Sequence, residues 1–465
     1  MLFNSFEFAV FLFIVVSLYA VCNHRKQNLL LLVSSYIFYG WWDWRFLSLI
    51  LLSTTVDYFV GLKVHNSTDQ NIRKLLVGCS VAFNLTLLGI FKYYDFFVTS
   101  LVDALALCGI EVQPALLSTI LPVGISFYTF QTISYSIDIY RKEVTPTKNY
   151  FDFALFVSFF PQLVAGPIER AKNLLPQITK DRKVDMTDIK VGAFLIYWGL
   201  FKKVVIADNL AFIVDSAFVD PGSLTALEAL IALYAFAWQI YCDFSGYTDI
   251  ARGIARLFGI RLMLNFNLPY FAISPSQFWR SWHISLSSWL RDYLYLPLGG
   301  NRKGELRTYI NLSLVMLLGG LWHGASWNFV LWGAYQGLLL IAFRPFESVF
   351  ATMANRRTAM RWLWNIVFFH FICLGWLLFR SPNLEILSEY FGAFLNVSNG
   401  IGNIDYRIWL ISPILIIQIL QFWKKDLLVV FSFPVVLRSA IYFGMFCLIF
   451  GVGEWGGNEF IYFQF

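Results

Sequence analysis

Charge is what this chain has least of. Only 14% of its 465 residues are Asp, Glu, Lys or Arg, where soluble globular proteins carry about 25%. A larger soluble core does not account for the deficit, because a water-facing surface would still need covering. Histidine is scarce, with five residues at positions 24, 65, 283, 323 and 370. The six cysteines, at 22, 79, 108, 242, 373 and 447, form no CxxC pair. They show no zinc-ligand or redox spacing and read as reduced apolar fillers. No internal repeat or low-complexity linker is apparent, which weighs against a secondary transporter built from repeated halves.

Apolar sequence is abundant instead: 58% of residues are hydrophobic and 19% aromatic. Windows of membrane-spanning length, roughly 17–25 residues, fall near 6–22, 28–41, 46–64, 73–91, 115–139, 191–214, 224–242, 309–321, 325–345, 361–379, 406–423 and 434–453. Some are short and others merge, so the expected architecture is all-α and polytopic. It has about 11 transmembrane helices plus re-entrant and interfacial ones. The first window follows Glu7 and precedes His24-Arg25-Lys26, the reverse of a signal peptide's charge order, so it is expected to be retained. By the positive-inside rule the N-terminus faces outward, while Arg25-Lys26 and the basic loops 170–183 and 302–307 face the cytoplasm. The net charge of +6 then reports topology and contact with anionic lipid; no basic face is left over for nucleic acid.

The organisation reads as one membrane domain over 1–465. Residues 1–110 are plain scaffold spans, 121–345 hold the polar and motif-like residues, 361–453 return to plain spans, and 460–465 form an aromatic tail. Two stretches inside the core break the helical pattern. One is Phe159-Phe160-Pro161-Gln162-Leu163-Val164-Ala165-Gly166-Pro167-Ile168, the other Leu264-Asn265-Phe266-Asn267-Leu268-Pro269-Tyr270. Irregular backbone at membrane depth must be buried in protein or line a cavity.

His323 lies between two apolar runs, in Leu321-Trp322-His323-Gly324-Ala325-Ser326-Trp327-Asn328-Phe329. An ionisable group there is costly and marks a functional site by default, and imidazole can exchange a proton with a hydroxyl near neutrality. A structural histidine hydrogen-bonded between helices is an equally good reading of the bare residues. His283 follows Trp279, Arg280 and Trp282; on one continuous helix Trp279, His283 and Ser287 would share a face. An amphipathic interfacial helix is the simpler account of that segment. His24 and His65 flank spans, and His370 reads as a hydrogen-bonded structural residue. Asp243 and Asp249 are intramembrane carboxylates about 120° apart on a helix, with Gln239 on the Asp243 face; either could orient a histidine ring or cap a helix broken at Gly246, and the structural role is expected for both. The turn Pro297-Leu298-Gly299-Gly300-Asn301-Arg302-Lys303-Gly304 could cradle phosphate, though a cytoplasmic basic turn explains it more simply. No metal site is expected.

Taken together, Leu121-Pro122-Val123-Gly124-Ile125-Ser126-Phe127-Tyr128-Thr129-Phe130-Gln131, the 160–168 stretch, 239–249, Asn265-Phe266-Asn267-Leu268-Pro269-Tyr270, 278–301 and 321–333 resemble the membrane-bound O-acyltransferase family. The likeness is greatest to its bacterial alginate and peptidoglycan O-acetyltransferase branch, which is related to the teichoic-acid D-alanyl transferase. It extends over nearly the whole chain. The resemblance implies a ring of helices around a thinned centre, with His323 as the catalytic histidine and His283 as the second signature histidine. Gln239, Asp243, Trp279, Arg280, Trp322 and Asn328 are expected to support substrate or structure. It also implies no bound cofactor, an acetyl-coenzyme A or carrier-protein thioester as donor, and a periplasmic hydrolase-like partner of the SGNH type. The acceptor would be a polysaccharide and the location the bacterial inner membrane.

The tail Phe460-Ile461-Tyr462-Phe463-Gln464-Phe465 reads from composition as a membrane anchor. It also resembles the aromatic tail of the partner peptide in the D-alanylation system, which implies that Tyr462 relays the acyl group after activation by His323. The expected function is therefore acyl transfer to an extracytoplasmic polysaccharide, alginate-type before peptidoglycan or cellulose. A transporter using His323 as a proton relay, or a lipid acyltransferase, are the other readings.

Overall fold

The computed structural model describes residues 1–354, 358–396, 402, 404–456 and 459–461. Among them no strand occurs, and the elements are helices throughout. Six helical stretches are long and apolar enough to cross a membrane: His24–Asn66, Gln70–Leu107, Ala226–Leu257, Trp327–Ala354, Ala359–Arg380 and Tyr406–Lys424. Phe6–Val21 and Val435–Gly451 are shorter apolar helices. The windows expected at 28–41 and 46–64 thus belong to one helical run. The window at 115–139 is corrected: residues 111–122 are non-helical, and the helix begins only at Ile125.

The chain divides into two compact units, Met1–Leu195 with Ala251–Met263, and Ile196–Ile250 with Leu264–Phe465. In the first unit, α1 (Phe6–Val21), α2 (His24–Asp43), α3 (Leu47–Asn66), α4 (Gln70–Leu88), α5 (Tyr94–Leu107), α6 (Ile125–Tyr140) and α7 (Tyr150–Ser158) precede the short α8 (Phe160–Leu163) and α9 (Ala171–Thr179). The irregular stretch around α8 is buried, as expected for backbone at membrane depth. Several of its polar groups are satisfied from within. Phe160 N donates to Ser35 Oγ at 3.0 Å, and the Gln131 and Gln162 amides both donate to Phe156 O, at 2.7 and 2.9 Å. Gly124 holds φ 76°, and a Cβ there would lie 2.6 Å from Leu163 O, so only glycine lets the two motifs touch.

The first unit is less plain than its sequence suggests. Asp57 on α3 is fully buried and accepts from Ser80, from Asn84 at 2.8 Å and from Ser136 at 3.2 Å. Three helices are joined by this polar knot, which period-counting read as scaffold.

α10 (Met186–Leu200) leads through a π-helical stretch, Phe201–Ala207, into α11 (Asp208–Val219), and α12 (Ala226–Leu257) follows. Gly246 does not break α12. A Cβ there would come within 2.9 Å of Gly199 O, so the glycine serves close helix approach and the expected break is corrected. In the second unit come α13 (Pro275–Ser281), α14 (Ile284–Leu290), α15 (Glu305–His323), α16 (Trp327–Phe343), α17 (Glu347–Ala354), α18 (Ala359–Arg380), α19 (Leu384–Leu395), α20 (Ile411–Lys424) and α21 (Val435–Gly451). α15 and α16 form a tight hairpin: a Cβ on Gly320 would overlap the Phe329 carbonyl, and one on Gly333 the Met316 carbonyl.

Candidate active site

His323 is the last residue of α15, and Gly324 caps the helix in an extended conformation. Aromatic rings surround its imidazole: Trp322 and Trp332 at 5.1 Å between centroids and Phe379 at 5.5 Å. The residue is 4% exposed, yet it borders a cavity of about 560 Å³. The wall follows α15 from Leu312 through Met316 and Gly319 to His323, and Trp279, Trp332 and Ser287 also line it. At eleven residues and about 1.5 Å each, that helix face is roughly 16 Å long. Arg280 and Arg291 line the same cavity with side chains 73% and 65% exposed. The cavity is therefore lined both by solvent-facing arginines and by a buried histidine. Arg280 also pairs with Glu347 at 3.3 Å.

His283 does not sit on a continuous helix with Trp279 and Ser287, which corrects the shared-face expectation. α13 stops at Ser281, and His283 adopts φ 42° before α14 begins. A left-handed histidine is uncommon and costs about 1 kcal/mol or more. The kink is held by Asn265 in the irregular 264–270 stretch. Its Oδ1 lies 3.2 Å from His283 Nδ1 and accepts from Ser285 N at 3.2 Å and Ser285 Oγ at 2.9 Å. The kink turns the fully buried imidazole toward His323, ring centroids 6.4 Å apart. Phe244 of α12 stacks edge-on to His283 at 4.7 Å and contacts Phe460 at 5.5 Å. Two residues forty apart in sequence thus become neighbours, and the C-terminal segment joins them through one phenylalanine.

The other expected residues divide. Trp322 packs between the two histidines, 5.8 Å from His283, and Trp279 lies edge-on to Trp332 at 5.8 Å. The Asn328 amide donates to Ser381 O, a structural role at the hairpin. Gln239 is half-buried one turn before Asp243. Asp243 accepts from Ile461 N at 2.7 Å and pairs with Lys203 at 2.7 Å; it is not hydrogen-bonded to either histidine. Asp249 pairs with Lys202 at 2.6 Å. His370 is hydrogen-bonded as expected, 2.6 Å from Tyr234 Oη. Tyr462 lies outside the described residues. The turn 297–304 contributes only Asn301 to the cavity wall.

Lys202, Lys203 and Asp208 were not anticipated. Two adjacent lysines inside the apolar window 191–214 are the signal that would have found them, since intramembrane charges rarely lack a function.

Among the described residues no group of three or more His, Cys, Asp or Glu side chains could hold a metal ion. The site is a helix-terminal imidazole lining a long cavity, inside a bundle of apolar helices. That defines a multi-pass membrane protein whose candidate site centres on a buried histidine.

Comparison with known proteins agrees. The family profile described as the membrane-bound O-acyltransferase family matches residues 141–381. The probable alginate O-acetylase of Pseudomonas putida is 44% identical over 84% of this chain and 79% of its own length. The peptidoglycan O-acetyltransferase of Helicobacter pylori is 40% identical over 78% of this chain and 72% of its own. More distantly, the teichoic acid D-alanyltransferase of Bacillus subtilis is 30% identical over 56% of this chain and 68% of its own. The chain belongs to the membrane-bound O-acyltransferase family, and it is an acyltransferase.

Proposed function

We propose that this chain is a polysaccharide O-acetyltransferase of the bacterial inner membrane. It takes an acetyl group from a cytoplasmic thioester and delivers it outside, to an alginate-type polymer first and to peptidoglycan or cellulose as alternatives. Support for the acceptor comes from the names of the relatives, which are alginate and peptidoglycan O-acetylases at 40–44% identity. The observation that carries the chemistry is the cavity that His323 lines. Its length suits an extended pantetheine arm, and Arg280 and Arg291 near solvent suit the phosphates of coenzyme A or the phosphate linkage of a carrier protein.

In this reading His323 is the general base. It accepts the proton of the Tyr462 hydroxyl as the phenolic oxygen attacks the thioester carbonyl; the carbon–sulfur bond breaks, and the thiolate takes the proton back from His323. An unaided tyrosine, with a pKa of about 10, is a poor nucleophile and needs such a base. The tyrosine ester then passes its acetyl group to an outer hydroxyl, through a periplasmic SGNH-hydrolase-like partner, and the phenol is restored. Supporting the relay, the chain immediately before Tyr462 is buried: Phe460 is 2% and Ile461 4% exposed, and Phe460 shares Phe244 with His283. His283 positions the pair and the N-terminus faces the periplasm.

The test is Tyr462→Phe in purified, reconstituted protein supplied with labelled acetyl thioester. The relay expects loss of acetyl transfer with normal folding. Full activity would instead assign direct transfer from thioester to acceptor by His323.

A further inference from the structure

The π-helical stretch Phe201–Ala207 and its neighbours hold more charge than helix packing needs. Lys203, Asp208 and Asp243 are 8%, 3% and 2% exposed. Lys203 Nζ lies 2.9 Å from Asp208 Oδ1 and 2.7 Å from Asp243 Oδ1. Such a cluster is expensive to desolvate, and apolar residues of similar size often stabilise more. π turns are commonly found at functional sites. The adjacent Lys202 already ties the same stretch to α12, pairing with Asp249 at 2.6 Å. The second lysine and its carboxylates therefore call for another role.

Asp243 also meets the C-terminal segment. Asp243 Oδ2 accepts from the backbone amide of Ile461 at 2.7 Å. Phe460 packs its ring 5.5 Å from Phe244 and 5.0 Å from Tyr247 on the same face of α12. Upstream, the π turn offers Val204 O, which accepts from Glu454 N at 2.9 Å, and Asn209 donates to Val452 O at 2.8 Å. The segment leading to the tail is thus gripped through its backbone at both ends. A buried amide needs an acceptor, and a carboxylate held in one orientation by an ammonium supplies it with more precision than a lone side chain would.

We propose that Lys203, Asp208 and Asp243 form a seat for the C-terminal tail, with Asp243 as the positioning residue that registers Ile461 and so the residue after it. The seat recognises an aromatic peptide segment by one main-chain N–H and one ring. It rests on the tail-relay reading for its purpose, but not for its existence.

Two measurements on the full chain test it. In the first, Ile461→Cys is made in protein whose Cys22, Cys79, Cys108 and Cys447 are replaced by serine, leaving the buried Cys242 and Cys373. Labelling by a soluble maleimide is then timed. Asp243→Leu should speed labelling at least tenfold, while Asp249→Leu, which also breaks a buried ion pair, should leave it within twofold. Equal acceleration by both variants, or rapid labelling without either, overturns the seat. In the second, Ile461→Pro removes the amide hydrogen together with the isoleucine side chain, and fixes φ. It should lower kcat at least tenfold without moving the donor KM, Ile461→Val should not, and adding Asp243→Leu should cost no more. Unchanged kcat in Ile461→Pro, in protein whose activity depends on Tyr462, overturns positioning. If Tyr462→Phe is fully active while the thiol introduced by Ile461→Cys stays protected, the relay fails and the seat stands.

Discussion

Replacing His323 with glutamine separates its chemical role from its packing role. The imidazole contacts Trp322, Trp332 and Phe379, so truncation to alanine would open a void and cost stability through the surrounding rings. Glutamine keeps most of the volume and a hydrogen-bonding end, and a near volume-conserving exchange costs less than about 1.5 kcal/mol. The chemical loss should be far larger. General base catalysis contributes roughly 10²–10⁴-fold, which at about 1.4 kcal/mol per tenfold is ~3–5.5 kcal/mol of barrier. The assay is thiol release from an acetyl thioester by protein in lipid, beside a thermal unfolding curve in the same detergent. The expected result is at least a hundredfold drop in turnover with the unfolding midpoint nearly unmoved. A folded variant keeping more than a tenth of the activity would refute the assignment of His323 as base, and the cavity would then need another proton acceptor. His283→Gln should lose less, roughly 10–100-fold, because His283 is off the cavity wall and acts through geometry.

Gly319 faces the cavity between Met316 and His323, and the nearest atom to an added Cβ is Leu290 Cδ1 at 3.3 Å. Gly319→Phe should plug the donor path, lowering kcat/KM more than tenfold in the thiol-release assay while leaving the purified protein monodisperse. Arg280→Ala with Arg291→Ala should raise KM for the thioester roughly three- to tenfold at low salt, with the difference shrinking as salt screens the exposed charges; kcat should hold. Gly320→Val drives a side chain into the Phe329 backbone and should destabilise the α15–α16 hairpin by at least about 1–3 kcal/mol, read as loss of folded yield and a lower unfolding midpoint.

Much of this molecule was legible before folding was considered. Apolar windows and sparse charge required helices in a membrane, since lipid leaves backbone groups no partner except within a helix or closed barrel. Two proline-bearing stretches had to be buried or line a cavity: 159–168 is buried throughout, whereas 264–270 is buried at Asn265, Phe266, Pro269 and Tyr270 and exposes Asn267. The ordered motifs pointed to the acyltransferase family and to His323 and His283. What misled was local reasoning at punctuation. Gly246 read as a helix break, but its role is set by Gly199, 47 residues earlier, which no period within α12 reports. His283 read as mid-helix because its left-handed turn is imposed by Asn265 across a loop. Lys203 was passed over because its partners lie on other elements.

The sequence by itself determined the class of protein, the medium it folds in, the family, and which scarce residues are costly enough to matter. Those properties follow from composition and from motif order, both of which are written along the chain. Only the tertiary structure decided that His323 lines a cavity, that the two histidines stand 6.4 Å apart, and that Ile461 is held by Asp243. These are meetings of residues 40 and 218 positions apart, and a distance of that kind depends on how helices cross and where the backbone turns left-handed. Neither is encoded in any local window.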